Sequence, residues 1–272
     1  GGNLRRIHYL LDGEQPQQEL ASLIAQVRAH EKMRVLTEAR VEKIEGSIGR
    51  FRTTIAAQEG QTQFDHGVVI VATGAKEHRP AEYLYGQDDG VVTQLDLEER
   101  LVASGGRFLT APEGRSKTVV MIQCVGSRNE ERPYCSRVCC SEAVKNALKI
   151  KEFSPDTAVY VLYRDMRTYG FRESAYTKAR QKGVAFVRFD ENRKPEVVRA
   201  NGELHVTVDD QVLGLRYDIP ADLVVLSAGT VPHEENKGVA QLLKVPLNQD
   251  GFFLEAHMKL RPVDFATDGV FV

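Results

Sequence analysis

Between Thr118 and Phe189 one alternation repeats. An apolar run, "TVVMIQ", leads to a helical segment, "SEAVKNALKIKEF", and a turn at "SPD"; a second apolar run, "AVYVLYRD", another helical segment, "ESAYTKARQKG", and a third run, "VAFVRF", follow. Strands linked through helices return to the same end of the sheet and pair in parallel, and strands that are apolar throughout are buried on both faces. The pattern predicts an α/β domain with a parallel sheet. Hairpin-like sequence follows, then a further buried strand, "DLVVLSAGT".

Upstream, residues 17–30 place Leu20, Leu23, Ile24 and Val27 on one helical face, and short strands and hairpins are expected from "MRVLTEARVEKIEG" through "TQFDHGVVIVATGA". These end in a wholly apolar strand, Val68 to Ala72, stopped by Thr73-Gly74 and expected to be buried on both sides. A short helix is expected in "TQLDLEERLVASG". Two segments echo each other: "DHGVVIVATGAKEHRP" and "ADLVVLSAGTVPH" both run from an acid through an apolar strand to a glycine turn and a proline. Two nucleotide-type domains would supply one each, and two buried strands ending in glycine would also look alike without that origin; 272 residues suffice for two cores.

A net charge of -2 gives no concentrated basic field, so no nucleic-acid partner is expected. No run approaches the roughly 18 apolar residues of a membrane span, and the first residues do not form a secretory signal. A cytoplasmic location is expected. The start without methionine and the end on "DGVFV" suggest a fragment.

All four cysteines lie in "QCVGSRNEERPYCSRVCC", between the first strand and helix of the alternation: Cys124, Cys135, Cys139 and Cys140. In a reducing compartment such clusters serve metal binding or redox chemistry more often than structural disulfides. Zinc favours paired C-x2-4-C knuckles that each bite one tetrahedral edge, and adjacent cysteines do this poorly. An iron–sulfur cubane offers separate irons to neighbouring residues and is favoured. A dithiol or vicinal disulfide at Cys139-Cys140, a zinc site and buried apolar cysteines remain as alternatives.

A Rossmann domain places G-x-G-x-x-G at this strand-to-helix junction, where this segment has one glycine, Gly126. Without the others a pyrophosphate cannot approach the backbone, so NAD(P)H binding of the usual kind is not expected. Asp165, ending the second strand where a ribose-binding acid would sit, then reads as a structural relic or a salt-bridge partner.

The segment "QCVGSRNEERPYCSRVCCSEAVKNALKIKE" with "VYVLYRDMRTYG" resembles the HdrA family of heterodisulfide reductase subunits; "VVIVATGA", "VVTQLDLEE" and "LRPVDFATDGVFV" resemble its flavoprotein core. The resemblance implies a thioredoxin-reductase-like α/β fold with two dinucleotide-binding-type domains, Rossmann-like parallel sheets and added antiparallel strands. It implies FAD and a 4Fe-4S cluster, with Cys124, Cys135, Cys139 and Cys140 as cluster ligands. Lys145 falls where the family has a lysine near the flavin, although its helix position alone reads as solvated. Gly2, beside Gly1 and Asn3, matches the loop near the flavin ribityl chain, Val41 the position beside the adenine, and Ala72, Thr73 and Gly74 a strand-end turn touching the cofactor.

The family's first glycine fingerprint would precede Gly1 and its second FAD turn would follow Val272, so FAD binding by this chain alone is expected to be poor. Implied partners are other redox subunits of a heterodisulfide-reductase-like complex, including hydrogenase, formate dehydrogenase, ferredoxin or quinone-linked proteins. The expected domains are an incomplete FAD-binding domain of residues 1–112 and 234–272, and a degenerate NAD-type domain of 113–233 carrying the cysteines. The alternatives to electron transfer are a cluster- or zinc-bearing scaffold and a dithiol disulfide reductase.

Overall fold

The computed structural model describes residues 2–111 and 113–272. Packing divides the chain into one unit of Gly1–Ala21 with Glu77–Thr230 and a second of Ser22–Lys76 with Val231–Val272.

Helix α1 (Pro16–Ala29) leads from the first unit into the second. There β1 (Arg40–Glu45), β2 (Phe51–Ala57) and β3 (Gly60–His66) form an antiparallel meander, followed by β4 (Val69–Ile70). The chain re-enters the first unit through β5 (Lys76–Glu77). It then forms β6 (Val91–Thr93), α2 (Gln94–Ser104), β7 (Thr118–Val125), α3 (Cys139–Phe153), β8 (Ala158–Tyr163), α4 (Glu173–Gln181) and β9 (Ala185–Arg188). An antiparallel sheet of β10 (Glu196–Ala200), β11 (Glu203–Asp209) and β12 (Arg216–Ala221) precedes β13 (Leu223–Ala228). The chain leaves through β14 (Thr230–Val231) to α5 (Asn236–Leu243) and β15 (Val270–Phe271) in the second unit.

The central sheet of the first unit has the order β6-β13-β7-β8-β9, with every pair parallel. Period-two alternation assigns its residues to two cores. Val119, Met121, Val159 and Val161 pack with Leu97, Leu101, Val144 and Ile150 of the helices. Val120, Ile122, Leu162, Val224 and Leu226 pack with Leu204, Val206 and Val208 of the antiparallel sheet. Each such side chain contributes about 1.5–3 kcal/mol on burial. The all-apolar strands are thus covered on both faces, as their sequence predicts.

Helix α2 starts on a capping box, in which the Thr93 side chain and the Asp96 backbone and carboxylate satisfy each other's partners, and it stops at Gly105 with φ 58. Helix α3 begins two residues before the expected "SEAV" start, so both adjacent cysteines belong to its first turn.

One expectation fails in the second unit. Val68 is 48% and Ile70 72% exposed, so this apolar strand is not buried on both faces. Among the described residues it pairs with β15 alone, and two short strands cannot cover one another's outer surfaces. The helix expected over residues 17–30 is present as α1; of its apolar face Leu20 is buried, Ile24 and Val27 are half-buried, and Leu23 is 55% exposed.

The echoing segments lie apart, the first yielding β4 in the second unit and the other β13 in the first. Packing keeps residues 77–111 with the parallel sheet, since β6 pairs with β13 and α2 packs on α3. Among the described residues no helix is long and apolar enough to cross a membrane.

Candidate functional site

The cysteine segment leaves the sheet through a bulge. Leu226 pairs with Ile122, but the next pair is Ala228 with Val125, which inserts one extra residue into β7. Cys124 occupies that stretch with φ 63, and such a bulge turns its side chain away from the ordinary alternation. Gly126 follows at φ +65, and a Cβ there would lie 2.0 Å from the His78 ring. Only glycine satisfies both demands.

Arg128 and Arg137 are also left-handed, with φ 56 and 62. Such non-glycine conformers are unfavourable unless their surroundings hold them. Here the Arg128 N–H donates to the Tyr134 carbonyl at 3.1 Å, the Tyr134 hydroxyl to the Thr230 carbonyl at 3.0 Å, and the Thr230 N–H to Ser136 Oγ at 2.7 Å.

None of the four cysteines is in a disulfide. Consecutive residues on a helix diverge by about 100°, and Cys139 Sγ accordingly faces the Ala228 carbonyl at 3.6 Å while Cys140 Sγ faces that of Asp165 at 3.7 Å. Burial pushes the thiols of Cys124, Cys139 and Cys140 up, against the pull of Arg128 on Cys124 and of the Arg167 N–H on Cys140. Exchange chemistry requires thiolates, which this burial disfavours at the three. Each of the three also feels the charge of Cys135, which puts all four sulfurs within electrostatic reach of one another. Among the described residues no three His, Cys, Asp or Glu side chains converge as a mononuclear metal site requires. Four cysteine sulfurs, two of them adjacent in the first turn of α3, are a donor set that would suit the separate irons of a cubane.

Beside the segment, within the same unit, lies a cavity of about 560 Å³ lined by Asn3, Ile7, Glu77, Leu95, Ser136, Ser141, Glu142, Lys145 and Thr230 among others. That volume is in the range of small-molecule sites. Lys145 is not a solvated helix lysine. Its Nζ donates to Glu98 Oε2 at 2.5 Å and lies 4.8 Å from the centre of the Tyr9 ring. Glu98 is fully buried, and its other oxygen accepts from the backbone N–H of His8 at 2.5 Å and Tyr9 at 3.2 Å.

Burial pushes the Glu142 carboxyl up to about 7, with Lys145 opposing and Glu77 and Glu98 reinforcing the rise. Glu142 keeps partial solvent access along the cavity although protein packs densely around its carboxyl. Ser141 Oγ on the cavity wall is buried without a partner. Sequence reading passed over Glu98, Tyr9, Ser141 and Glu142.

The other expected cofactor residues are distributed between the units. Gly2 is exposed beside a 3-10 turn of Asn3–Arg5 in the first unit; Gly1 lies outside the described residues. Val41, Ala72, Thr73 and Gly74 belong to the second unit. Val41 is 37% exposed next to a register shift in β1. Ala72, Thr73 and Gly74 are exposed, and Gly74 has φ +71 with open space where a Cβ would project.

No family model matches the chain. It is 40% identical over 225 residues to the HdrA component of the H2:CoB-CoM heterodisulfide, ferredoxin reductase of Methanothermobacter thermautotrophicus, covering 78% of this chain and 34% of that protein. It is 41% identical over 218 residues to the iron-sulfur HdrA component of the CoB-CoM heterodisulfide reductase of Methanocaldococcus jannaschii, covering 75% and 33%. The chain thus spans about a third of the length of these relatives. Thioredoxin reductase from Lactococcus lactis superposes with a TM-score of 0.59 at 15% identity, covering all of this chain and 77% of that one. That from T. acidophilum gives 0.51 at 16% identity, covering 93% and 70%. These two likenesses establish a thioredoxin-reductase-like fold.

Proposed function

Because the chain belongs to the HdrA family of heterodisulfide reductases while spanning about a third of its members' length, we propose that it is the part of an oxidoreductase that passes electrons between FAD and a 4Fe-4S cluster. One observation carries this reading: four unpaired cysteines lie in one segment between the end of β7 and the first turn of α3, and a cavity with a buried lysine on its wall lies beside that segment. Cys124, Cys135, Cys139 and Cys140 would hold the cluster. By the family resemblance, residues 1–112 and 234–272 would form the FAD-binding domain, with Gly2, Val41, Ala72, Thr73 and Gly74 as contacts, and 113–233 the cluster-bearing domain, a division that differs from the packing units, which keep 77–111 with the parallel sheet. When bound, FAD would exchange electrons in pairs with a two-electron donor or acceptor and one at a time with the cluster, which carries single electrons.

The chain's own residues supply binding and charge. Burial disfavours free thiolates at Cys124, Cys139 and Cys140, and coordination to cationic iron would supply the missing compensation. Cys139 and Cys140 lie in the first turn of α3, whose positive end would favour the negative charge of a thiolate-bound cluster held there. Lys145 holds a fixed ammonium at the cavity wall, and Ser141 offers an unused hydroxyl there. Negative charge developing in the cavity is stabilised by such preorganised groups.

Partners follow from the relatives' names, which include ferredoxin and H2 or formate as electron sources or sinks. We assign this chain to a complex of that kind.

The ultraviolet-visible spectrum of the full-length protein purified without air, before and after dithionite, tests the reading. Flavin bands and a broad iron–sulfur absorbance that both bleach are expected. A colourless zinc protein overturns it. Within the same reading, Lys145→Ala lowers the flavin midpoint and leaves iron content unchanged. One lost favourable interaction of about 1.4 kcal/mol changes the equilibrium about tenfold. An unmoved flavin midpoint in an anaerobic titration removes Lys145 from the flavin's surroundings.

A further inference from the structure

A short relay of charges runs from Cys124 toward the surface. Arg128 is pinned by its backbone: its N–H donates to the Tyr134 carbonyl at 3.1 Å and its own carbonyl accepts from Arg164 Nη1 at 2.8 Å. The guanidinium is thereby placed between two groups. Nη1 donates to Cys124 Sγ at 3.8 Å, and Nη2 to Asp165 Oδ2 at 2.6 Å. The Arg128 side chain is 15% exposed and that of Asp165 43%.

Two more guanidiniums face the same carboxylate, Arg188 at 3.6 Å and Arg167 at 4.0 Å. One carboxylate shared among three cations leaves positive charge in excess. A surface salt bridge would not need Arg128 drawn inward against a sulfur, nor a left-handed backbone at that residue.

We propose that Arg128 is a positioning residue for the cluster, whose guanidinium donates to the sulfur of Cys124 and sets the cluster's reduction potential, with Asp165 as its counterweight. This rests on the reading of Cys124 as a cluster ligand. Hydrogen bonds to the sulfurs and local charge are the protein's levers on such potentials. Reduction adds one electron and makes the site more negative, so a neighbouring cation favours the reduced form and a neighbouring carboxylate opposes it. Arg128 and Asp165 therefore act with opposite signs. Bond making at the protein is not involved, and in the experiment below dithionite supplies the electron.

Full-length protein is purified without air as the wild type, Arg128→Gln, Arg128→Lys and Asp165→Asn. Iron and sulfide are counted, and the cluster midpoint is read by electron paramagnetic resonance during a dithionite titration. Arg128→Gln is expected to disfavour reduction about tenfold, which for a one-electron couple is about 59 mV. Arg128→Lys shifts the midpoint less, and Asp165→Asn moves it upward. Mere loosening of the loop does not produce shifts of opposite sign. Full clusters with unmoved midpoints, or with both charge-removing variants shifted the same way, overturn the inference and leave the cluster intact as a finding. A wild type without iron overturns the cluster reading itself. Should Arg128→Gln lose its cluster, the direction of the Asp165→Asn shift decides.

Discussion

Glu98→Ala lowers the stability of the parallel-sheet unit by about 3–5 kcal/mol, the cost of leaving a buried charge without its partner. Glu98 is fully buried and Lys145 is 9% exposed, so neither charge is held by bulk water. The carboxylate also accepts from the N–H groups of His8 and Tyr9, which anchors the N-terminal segment to α2. Alanine removes three partners at once. Orphaned buried donors cost about 1–3 kcal/mol each, which Lys145 can partly recover by turning into the cavity it lines.

Glu98→Gln keeps an acceptor for the backbone and removes only the charge, and is expected to cost less than alanine. Replacing the pair together, as Glu98→Gln with Lys145→Met, costs less still, because no charge is left buried. Urea denaturation of each variant, followed by circular dichroism, gives the order. Equal midpoints for the Ala and Gln variants would falsify the assignment of the pair as a buried, mutually dependent unit.

The parallel-sheet unit was legible because its strands are apolar at every position and its helices keep a 3.6-residue stripe, signals that survive without knowledge of the neighbours. "TVVMIQ", "AVYVLY" and "DLVVLSA" became β7, β8 and β13 within a residue or two. The same signal misled at Val68 to Ala72. Apolar content says that a strand could be covered, and coverage depends on what packs beside it; here Val69 and Val71 face a core with Phe51, Leu243 and Phe265, while Val68 and Ile70 stay exposed.

At the site, clustering made the cysteines visible, since four sulfurs in one loop are improbable as core. Glu98 carried a weaker trace. It lies three residues from both Leu95 and Leu101, a charge on the apolar phase of α2. A single off-phase acid is easily taken for a surface residue. Its partner Lys145 sits on another helix 47 positions later, and no local pattern couples them. The left-handed backbone of Cys124 was hidden for a similar reason, because the bulge arises from the register of β7 against β13.

Each of Cys124→Ala, Cys135→Ala, Cys139→Ala and Cys140→Ala, made in the full-length protein and purified without air, is expected to hold iron and sulfide far below one cubane per chain. The four sulfurs reach the site by different routes. Cys139 and Cys140 come from the rigid first turn of α3, Cys124 from a bulged strand end, and Cys135 from the loop between them. A ligand fixed on a helix or strand cannot be replaced by the next side chain without moving that element, and no fifth cysteine exists in this chain to take its place. Metal binding energy is also folding energy when the ligands are otherwise unfavourably placed. Loss of the cluster should therefore loosen residues 126–138, where Arg128 and Arg137 hold left-handed conformations, and hydrogen exchange there should rise in every variant while β7 and β8 stay protected. The result for Cys124 is the most demanding, since ten residues separate it from Cys135. A full complement of iron in Cys124→Ala assigns the fourth position to another group, and zinc in the anaerobic wild type removes the iron–sulfur reading altogether.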